Sequence, residues 1–364
     1  MEQNNFHRDF QLNGISFSSV SELQRHAKSI SETTHQFLKE WFSKDDFIIV
    51  KTSGSTGVPK PIELKKSFII NSARATGKYF RLPQKTTALS CLPIAYIAGK
   101  MMLVRAIILG WHLDIILPDS DPLKGIEKTY DFAAMVPLQV ENSIDKIAKI
   151  KKLIVGGGVV STKLQENLQQ LSTAVFATYG MTETITHIAV KKLNNLQEVV
   201  SSISSSQNKA SVQKSFYKTL PDVTIYKDVR NCLVIEAPKV SDEIIYTNDV
   251  VQLVSDTQFI WLGRFDNVIN SGGIKLHPEK IEEKLSKIIK NRFFVAGIPD
   301  EKLGERLVLC IEGDAQKNMF NRLKNFKLLS NFELPKEVYF VDEFLETATK
   351  KIQRKKTLDL IKLQ

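Results

Sequence analysis

Short apolar runs separated by helical patterns dominate the sequence between Phe47 and about Phe259. The runs are FIIV, DFAAMV, KLIV, AVFATY, VTIY, CLVIEA, and DVVQLV followed by FIWLG. Runs of this length, rich in valine and isoleucine and bounded by glycine or polar residues, are typical of buried strands. Their alternation with helical patterns predicts a layered α/β fold, in which a sheet lies between helices.

The pattern changes after Trp261. A glycine-containing turn (NSGGIKLHPEK) is followed by a charged amphipathic helix (EKIEEKLSKIIK), two strand-like runs (RFFVAGI and RLVLCIEG) and a lysine-rich tail. This order is typical of a small α+β domain. A chain of 364 residues is long enough for about two domains. We therefore predict a large α/β domain at 1–263 and a small C-terminal domain at 264–364. The serine-rich stretch VSSISSSQNKAS predicts an exposed loop.

The chain is basic. Fifty lysines and arginines against 40 aspartates and glutamates give a net charge of +10 and an isoelectric point near 9.2. This excess suits nucleic acid, an anionic membrane or nucleotide phosphates, and equally a surface of solvated lysines. Because no basic stretch with interleaved aromatic residues indicates a platform for single strands, we expect no nucleic-acid partner.

The spacing of the cysteines and the distribution of apolar residues indicate the cellular compartment of the protein. Cys91, Cys232 and Cys310 are far apart and form no CxxC pair, which indicates neither a disulfide framework nor a zinc site. The N-terminus has no basic region followed by an apolar run, and no stretch approaches the roughly 20 apolar residues that span a bilayer. We expect a cytoplasmic protein without stable membrane insertion, and leave open whether it forms a homo-oligomer.

A run of small hydroxyl and glycine residues, TSGSTGVPK at 52–60, follows the first strand-like run. Glycine lets backbone N–H groups approach an anion closely, and serine and threonine hydroxyls add hydrogen bonds. The run is not a Walker A motif, because Pro59 stands where that motif has the glycine before its lysine. By itself the run predicts either a polyphosphate site or an ordinary turn.

This run resembles the phosphate loop of the adenylate-forming superfamily, which includes acyl-CoA synthetases, adenylation domains and luciferases. Further motifs similar to those of the superfamily follow in its usual order: YGMTE at 179–183, YTND at 246–249, GRFD at 263–266, SGG at 271–273 with PE at 278–279, and TKKIQR at 349–354. Asn248 and Lys350 stand where glycine is usual. The phosphate loop also starts far earlier than in typical members, which implies a truncated N-terminal subdomain.

The resemblance implies an ATP site. Tyr179 would stack on adenine, and Asp249 with Arg264 would bind the ribose hydroxyls. The implied ATP-binding residues are Thr52, Ser53, Gly54, Ser55, Thr56, Gly57, Lys60, Gly157, Gly158, Tyr179, Gly180, Asp249, Arg264 and Gly273.

The resemblance also implies catalytic groups. Lys351, favoured over Lys350 by the register of the motif, would bridge the carboxylate and the α-phosphate during adenylation. Thr182 would contact the α-phosphate, and Glu183 would bind Mg²⁺, which prefers oxygen ligands. Asp266 would be the hinge about which the C-terminal domain turns before thioester formation with coenzyme A.

The family has a gate residue at the acyl pocket, and Tyr96 stands at that position in this sequence. A helix that carries two cationic residues follows it. Lys100 and Arg105 would be costly on an otherwise apolar helix if they were buried without partners, so they would meet a substrate carboxylate or extend to the surface. With His187 beyond the YGMTE motif, these residues form the predicted substrate pocket. Over the whole chain, including CLPIAYIAGKMMLVRA, AMVPLQ and YGMTETITHIA, the sequence most resembles short o-succinylbenzoate–CoA ligases of menaquinone biosynthesis. This resemblance implies that the small-molecule acid is o-succinylbenzoate, an aromatic dicarboxylate, which is activated with ATP and joined to coenzyme A.

Other functions remain compatible with the motifs. The chain could be a coenzyme A ligase for another aryl or fatty acid, or a stand-alone adenylation protein that loads a carrier thiol. It could also be a non-catalytic nucleotide-binding or nucleic-acid-binding protein that kept the fold. Retention of Glu183, Asp249, Arg264 and Lys351 together argues against the last alternative.

Overall fold

The computed structural model describes residues 6–51, 61–195, 216–347 and 352–361. Its helices are α1 (Val20–Ile30), α2 (Glu32–Trp41), α3 (Lys66–Tyr79), α4 (Ile97–Leu109), α5 (Pro137–Asn142), α6 (Thr162–Leu168), α7 (Pro278–Leu285), α8 (Met319–Lys324) and α9 (Arg354–Ile361). Short 3₁₀ helices lie at Ile144–Lys149, Thr182–Thr184 and Phe265–Asn267.

The strands of the described residues alternate with these helices in the first half of the chain and follow one another in the second. They are β1 (Gln11–Leu12), β2 (Phe47–Lys51), β3 (Pro61–Lys65), β4 (Thr87–Ser90), β5 (His112–Ile115), β6 (Tyr130–Met135), β7 (Ile150–Val155), β8 (Ala174–Gly180), β9 (His187–Lys192), β10 (Tyr217–Thr219), β11 (Thr224–Lys227), β12 (Cys232–Glu236), β13 (Ile245–Ser255), β14 (Gln258–Arg264), β15 (Ile269–Ser271), β16 (Ile274–Leu276), β17 (Phe293–Asp300), β18 (Gly304–Glu312) and β19 (Glu337–Val341).

A twelve-stranded sheet with the order β1-β5-β4-β6-β7-β8-β9-β10-β14-β13-β12-β11 forms the body of the molecule. Strands β1 and β4 to β8 pair in parallel, and pairing becomes antiparallel from β9 onward. Alternate residues of β6 enter different cores: Phe132 packs in one apolar cluster with α3 and α4, whereas Ala133 packs in another with α5 and α6. The sheet therefore lies between two layers of helices, which confirms the predicted α/β class.

The parallel strands β7 and β8 end side by side. Gly156 follows β7, and a Cβ at this position would lie 2.7 Å from the Thr178 hydroxyl near the end of β8. In open parallel sheets, ligands bind at the carboxyl ends of the strands. The arrangement thus brings Gly157 and Gly158, two of the implied ATP-binding residues, to the same edge of the sheet as Tyr179.

The strand FIIV lies outside the main sheet. It is β2, which among the described strands pairs with β3 alone in a two-stranded antiparallel ribbon, and its residues Phe47 and Ile49 are exposed. Ile48 and Val50 on its other face are buried. Prediction of a fully buried strand was therefore wrong here, because only alternate side chains face the core.

Two short helices precede the ribbon. The side chain of Ser19 accepts a hydrogen bond from Glu22 N at the start of α1, and Ser31 accepts one from Thr34 N at the start of α2. Ser31 also ends α1, since its N–H donates to Ala27 O. One serine therefore closes the first helix and opens the second, which fixes the sharp turn between them.

A second sheet follows β14 and has the order β16-β15-β18-β17, with β19 beside β18. Residues of α7, such as Ile281 and Leu285, pack with Leu309 of β18 in a separate apolar core. This α+β arrangement agrees with the pattern seen after Trp261. The boundary between residues 263 and 264 stays a prediction.

Candidate active site

Tyr179 and Asp249 form the centre of the predicted nucleoside site. The Tyr179 hydroxyl at the end of β8 donates to Asp249 Oδ2 over 2.7 Å, and Trp261 Nε1 donates to Asp249 Oδ1 over 3.0 Å. Burial and the Asp249 carboxylate raise the pKa of Tyr179 far above its usual range. Each carboxylate oxygen keeps a lone pair beyond the one used. Asp249 is therefore a fixed acceptor with lone pairs left for further hydrogen bonds.

Arg264 lies opposite Asp249 in the pairing of β13 with β14. Its guanidinium is 3.7 Å from Asp249 Oδ1 and 3.1 Å from Asp266 Oδ2. The predicted ribose contacts and the predicted hinge residue thus form one charged row at the end of the large sheet.

Asn248 uses its side chain where the family usually has glycine. Its Oδ1 accepts from the Arg230 guanidinium over 2.9 Å, and its backbone is not in the left-handed region. Glycine is needed only where φ is positive or a neighbour comes close. The replacement therefore leaves the strand geometry ordinary and adds a link to Arg230.

Gly180 is held in a position that no other residue fits. A Cβ there would lie 2.0 Å from Thr186 O and 2.5 Å from the Cα of His187. By contrast, Gly157 and Gly273 have φ values of +77° and +81°, which are left-handed turn conformations. Gly158 has only ordinary contact distances to Pro137. Glycine is thus required at position 180 because neighbouring backbone atoms leave no room for a Cβ. At positions 157 and 273 it is favoured because φ is positive.

Thr182 and Glu183 lie on the short 3₁₀ helix between β8 and β9. Glu183 is exposed, and in the described part of the chain its carboxylate has no hydrogen-bond or ion-pair partner. A solvent-facing carboxylate with open lone pairs suits Mg²⁺, which takes few protein ligands and keeps several waters. The residue present therefore fits the predicted metal.

The turn after Glu183 is strained. Ile185 has φ +66° and ψ −63°, and Thr186 N donates to Thr184 O over 2.7 Å. These values describe a γ-turn of the rare, high-energy type, here at a β-branched residue. Such strain is common at functional sites. It fixes the chain direction at Thr186, which contacts Arg105.

Arg105 is a buried cation without an acidic partner among the described residues. It is 2% exposed; one NH2 group lies 3.3 Å from Thr186 Oγ1, the other 3.7 Å from Met102 Sδ, and Nε has no partner. Burial lowers its pKa to about 10. A buried charge is costly unless it is paired, so this guanidinium is suited to an anion that enters from outside the chain.

His187 lies beside Arg105 and is also buried. Burial, with the nearby Arg105 charge, lowers its pKa to about 3. Its Nε2 is 3.5 Å from the Thr76 hydroxyl, and Ser72 Oγ is 3.3 Å from Thr186 Oγ1. The structure therefore brings together Arg105 and a neutral His187, both predicted pocket residues.

Ser72 and Thr76 were missed in the sequence analysis. They are four residues apart on α3, so they share one helix face, and both are buried. Two small polar residues at this spacing among apolar neighbours are the signal that could have identified them.

Tyr96 and Lys100 lie nearer the start of α4 than Arg105 does. Tyr96 is exposed and precedes the helix. The Lys100 ammonium is 3.6 Å from Glu40 Oε2 and 4.3 Å above the ring of Phe37, both on α2. Lys100 thus has an acidic partner within the chain, whereas Arg105 has no acidic partner in the described residues.

Several predicted residues lie outside the described residues. They are Thr52, Ser53, Gly54, Ser55, Thr56, Gly57, Lys60 and Lys351. Their assignments stay predictions, and the site assignments as a whole rest on the resemblance. In the part of the chain that is described, no group of three or more histidine, cysteine or acidic residues is placed to hold a metal. No described helix is both long enough and apolar enough to cross a bilayer.

A family model described as AMP-binding enzyme matches residues 9–214. The chain belongs to the AMP-binding enzyme family. It is an adenylate-forming ligase of the acyl-CoA synthetase type, as the motifs indicated, and binds ATP.

Relatives agree with this membership. A 2-succinylbenzoate–CoA ligase of Staphylococcus epidermidis is 25% identical over 333 residues, with 85% of this chain and 68% of the relative covered. Another, from Bacillus cytotoxicus, is 26% identical, with 89% and 72% covered.

Solved structures have the same fold. An acyl-CoA synthetase (AMP-forming)/AMP-acid ligase II-like protein of Dyadobacter fermentans is 34% identical with a TM-score of 0.57, and 93% of this chain and 98% of that chain are covered. The o-succinylbenzoate–CoA synthetase of Bacillus subtilis, in complex with its acyl-adenylate intermediate, is 20% identical with a TM-score of 0.71; the shares covered are 84% and 68%.

Proposed function

We propose that this protein activates o-succinylbenzoate with ATP and transfers the acyl group to coenzyme A. First, a carboxylate oxygen attacks the α-phosphorus, the bond to the β-phosphate oxygen breaks and pyrophosphate leaves. Second, the thiol sulfur attacks the acyl carbon, the bond to the AMP oxygen breaks, AMP leaves and the thiol proton is released. Family membership and the names of the curated relatives support this reaction.

The single observation that carries the substrate class is the buried Arg105 without an acidic partner in the described residues. An acid with a second carboxylate would supply the missing charge, and a bidentate guanidinium–carboxylate pair has fixed geometry. A long fatty acid would leave the guanidinium buried and unpaired, which is costly. The second carboxylate of o-succinylbenzoate, the one that is not activated, fits Arg105 better than an aliphatic tail does.

The nucleotide side of the proposal rests on Asp249, Arg264 and Glu183. Asp249, held by Tyr179 and Trp261, accepts from the ribose hydroxyls, and Arg264 stands beside it. Glu183 would hold Mg²⁺, which when bound neutralises phosphate charge as pyrophosphate leaves. Lys351 would serve the carboxylate and the α-phosphate.

The test is product analysis by mass spectrometry after incubation with o-succinylbenzoate, ATP, Mg²⁺ and coenzyme A, with each component omitted in turn. We expect a mono-thioester that needs all four. Thioester formation only with other acids would retain the chemistry and reject the substrate. Acyl transfer only to a carrier protein would identify a stand-alone adenylation protein. Absence of ATP turnover with every acid in a panel would contradict the proposal.

Arg105→Met tests the carboxylate contact. We expect kcat/KM for o-succinylbenzoate to fall by about a hundredfold, the scale of losing one partner of a buried charge pair. Activity with a mono-acid analogue that lacks the second carboxylate, 4-oxo-4-phenylbutanoate or 2-pentylbenzoate according to which carboxylate is activated, should change much less. The melting temperature should not fall, because the substitution removes an unpaired buried charge from the free protein. Equal losses with both acids would contradict a contact between Arg105 and the second carboxylate.

A further inference from the structure

Glu40 joins two elements that approach the candidate site from different parts of the chain. It lies in the last turn of α2, and its carboxylate uses its two oxygens separately. Oε1 accepts a hydrogen bond from Ile49 N of β2 over 2.9 Å. Oε2 is 3.6 Å from the ammonium of Lys100 on α4. A carboxylate can accept from both directions at once without losing either bond.

The contact with Lys100 is more than a surface ion pair. The Lys100 side chain is 11% exposed, and its ammonium lies 4.3 Å above the ring of Phe37. Phe37 and Glu40 are three residues apart on α2 and therefore share a face. Burial lowers the pKa of Lys100, while Glu40 acts in the opposite direction. One face of α2 thus places a carboxylate and an aromatic ring against this ammonium.

Both partners of Glu40 belong to elements that carry or precede predicted site residues. Lys100 lies in the first turn of α4, which begins after Tyr96 and carries Arg105 further along. Ile49 lies two residues before the end of β2, and the predicted phosphate-binding residues begin at Thr52. Glu40 therefore connects the helix of the predicted acid pocket with the strand that precedes the predicted phosphate loop.

We propose that Glu40 is a positioning residue, which fixes α4 and β2 relative to each other so that the acid and ATP bind in register. The proposal rests on the proposed function, because it assigns the acid to the pocket on α4. In this proposal Glu40 contacts neither substrate and acts only through Ile49 and Lys100. Its loss should therefore weaken both binding steps and leave the chemical step largely intact, since loss of binding that is equal in the ground state and the transition state raises KM without lowering kcat.

The test is a kinetic comparison by acid-dependent ATP–pyrophosphate exchange, together with ATP affinity from isothermal titration calorimetry. Glu40→Ala should raise KM for the acid and for ATP by about tenfold each, with kcat changed less than about threefold. Glu40→Gln keeps an oxygen acceptor for Ile49 N but loses the charge, and Lys100→Met removes the other ionic partner. Both should raise KM for the acid and leave KM for ATP near the wild-type value.

Glu32→Ala is the matched control, because Glu32 lies at the start of the same helix and, among the described residues, its carboxylate has a hydrogen bond from Gln36 alone. It should leave both KM values unchanged. A merely structural role for Glu40 would lower the melting temperature or the active fraction without moving either KM. KM values for Glu40→Ala within twofold of wild type would overturn the proposal.

The two proposals can fail separately. If the wild-type protein shows no exchange with any acid, the proposed function is wrong, and Glu40 is judged on ATP affinity alone. An ATP dissociation constant raised about tenfold in Glu40→Ala and unchanged in Glu32→Ala would still support the link to β2. Equal ATP affinities in all variants would reject it.

Discussion

Arg105 and His187 lie in the same buried region but differ in their protonation. Both are buried, and neither has a carboxylate partner among the described residues. Arginine stays charged because its ordinary pKa is so high that burial lowers it only to about 10. Histidine loses its proton because burial and the adjacent guanidinium lower its pKa to about 3. The region therefore carries one positive charge at neutral pH, and that charge belongs to Arg105.

His187 gives a prediction for the pH dependence of stability. Below its ordinary pKa of 6.5 and above about 3, only the unfolded chain binds the proton. Lowering the pH through this window therefore decreases the free energy of unfolding, and this contribution is absent above it. His187→Gln removes this titration, so the free energy of unfolding of the variant should fall less steeply with decreasing pH than that of wild type. The two slopes should differ by up to about 1.4 kcal/mol per pH unit.

Urea unfolding of both proteins at pH 7.5, 6.0 and 5.0 measures this difference in slope. A change in absolute stability from the substitution does not matter, because only the dependence on pH is compared. Parallel pH dependences for wild type and His187→Gln would contradict a neutral buried His187.

At the scale of elements, the short connection between β8 and β9 carries two of the residues predicted to act in catalysis. Gly180 is the last residue of β8, and Thr182 and Glu183 lie in the 3₁₀ turn. The γ-turn at Ile185 then sets the direction of the chain before β9. Gly180 and His187 face each other in the register of the two strands. Because the backbone at Thr186 lies against Gly180, the turn has no room to change without opening the pair of strands.

Gly180→Ala tests this packing. The added Cβ would meet backbone atoms, which cannot rotate away as a side chain can. The turn that carries Thr182 and Glu183 must therefore shift, and shifts of about 1 Å near reacting groups cost about a hundredfold in rate. We expect a loss of that size in ATP–pyrophosphate exchange.

Gly14→Ala is the matched control for this test, since Gly14 is a turn glycine at φ +79° with open space around its Cβ direction. It should cost about 1 kcal/mol of stability and leave exchange activity unchanged. Exchange by Gly180→Ala at the wild-type rate would show that the turn tolerates the shift.

At the scale of the whole molecule, the terminal motif is tied to the second sheet. Arg354 donates to Val295 O over 3.0 Å and lies 2.9 Å from Glu282 of α7. Burial raises the pKa of Glu282, which Arg354 opposes. Ile352 forms a bridge with Glu346. The residues just after Lys351 are therefore fixed to the C-terminal part of the chain, in agreement with a catalytic lysine supplied by that part.

Lys351→Ala tests the assignment of the lysine to one half-reaction. We expect loss of adenylation, with thioester formation from supplied acyl-adenylate largely intact, because the predicted contact is with the carboxylate and the α-phosphate. Lys355→Ala, at an exposed position of α9, is the control and should retain both half-reactions. Equal losses in both half-reactions of Lys351→Ala would refute the assigned role.

The sequence alone determined the fold class, the order of the motifs and the family, because these depend on local patterns and short runs of residues. Runs such as DFAAMV and KLIV predicted strands correctly, since strand formation here follows apolar periodicity. The segment FIIV was predicted correctly as a strand but wrongly as fully buried, because its run of apolar residues does not reveal that only alternate side chains face the core. The site residues at 52–60 and at 351 came from motifs and still rest on them.

Only the tertiary structure decided what the charged side chains do. Lys100 and Arg105 look equivalent in sequence, yet one meets Glu40 and Phe37 of α2 and the other meets no acid in the described residues. Asn248 likewise gained a partner, Arg230, that no motif indicates. The physical reason is that charge pairing and burial depend on residues distant in sequence, and a local pattern carries no information about those neighbours.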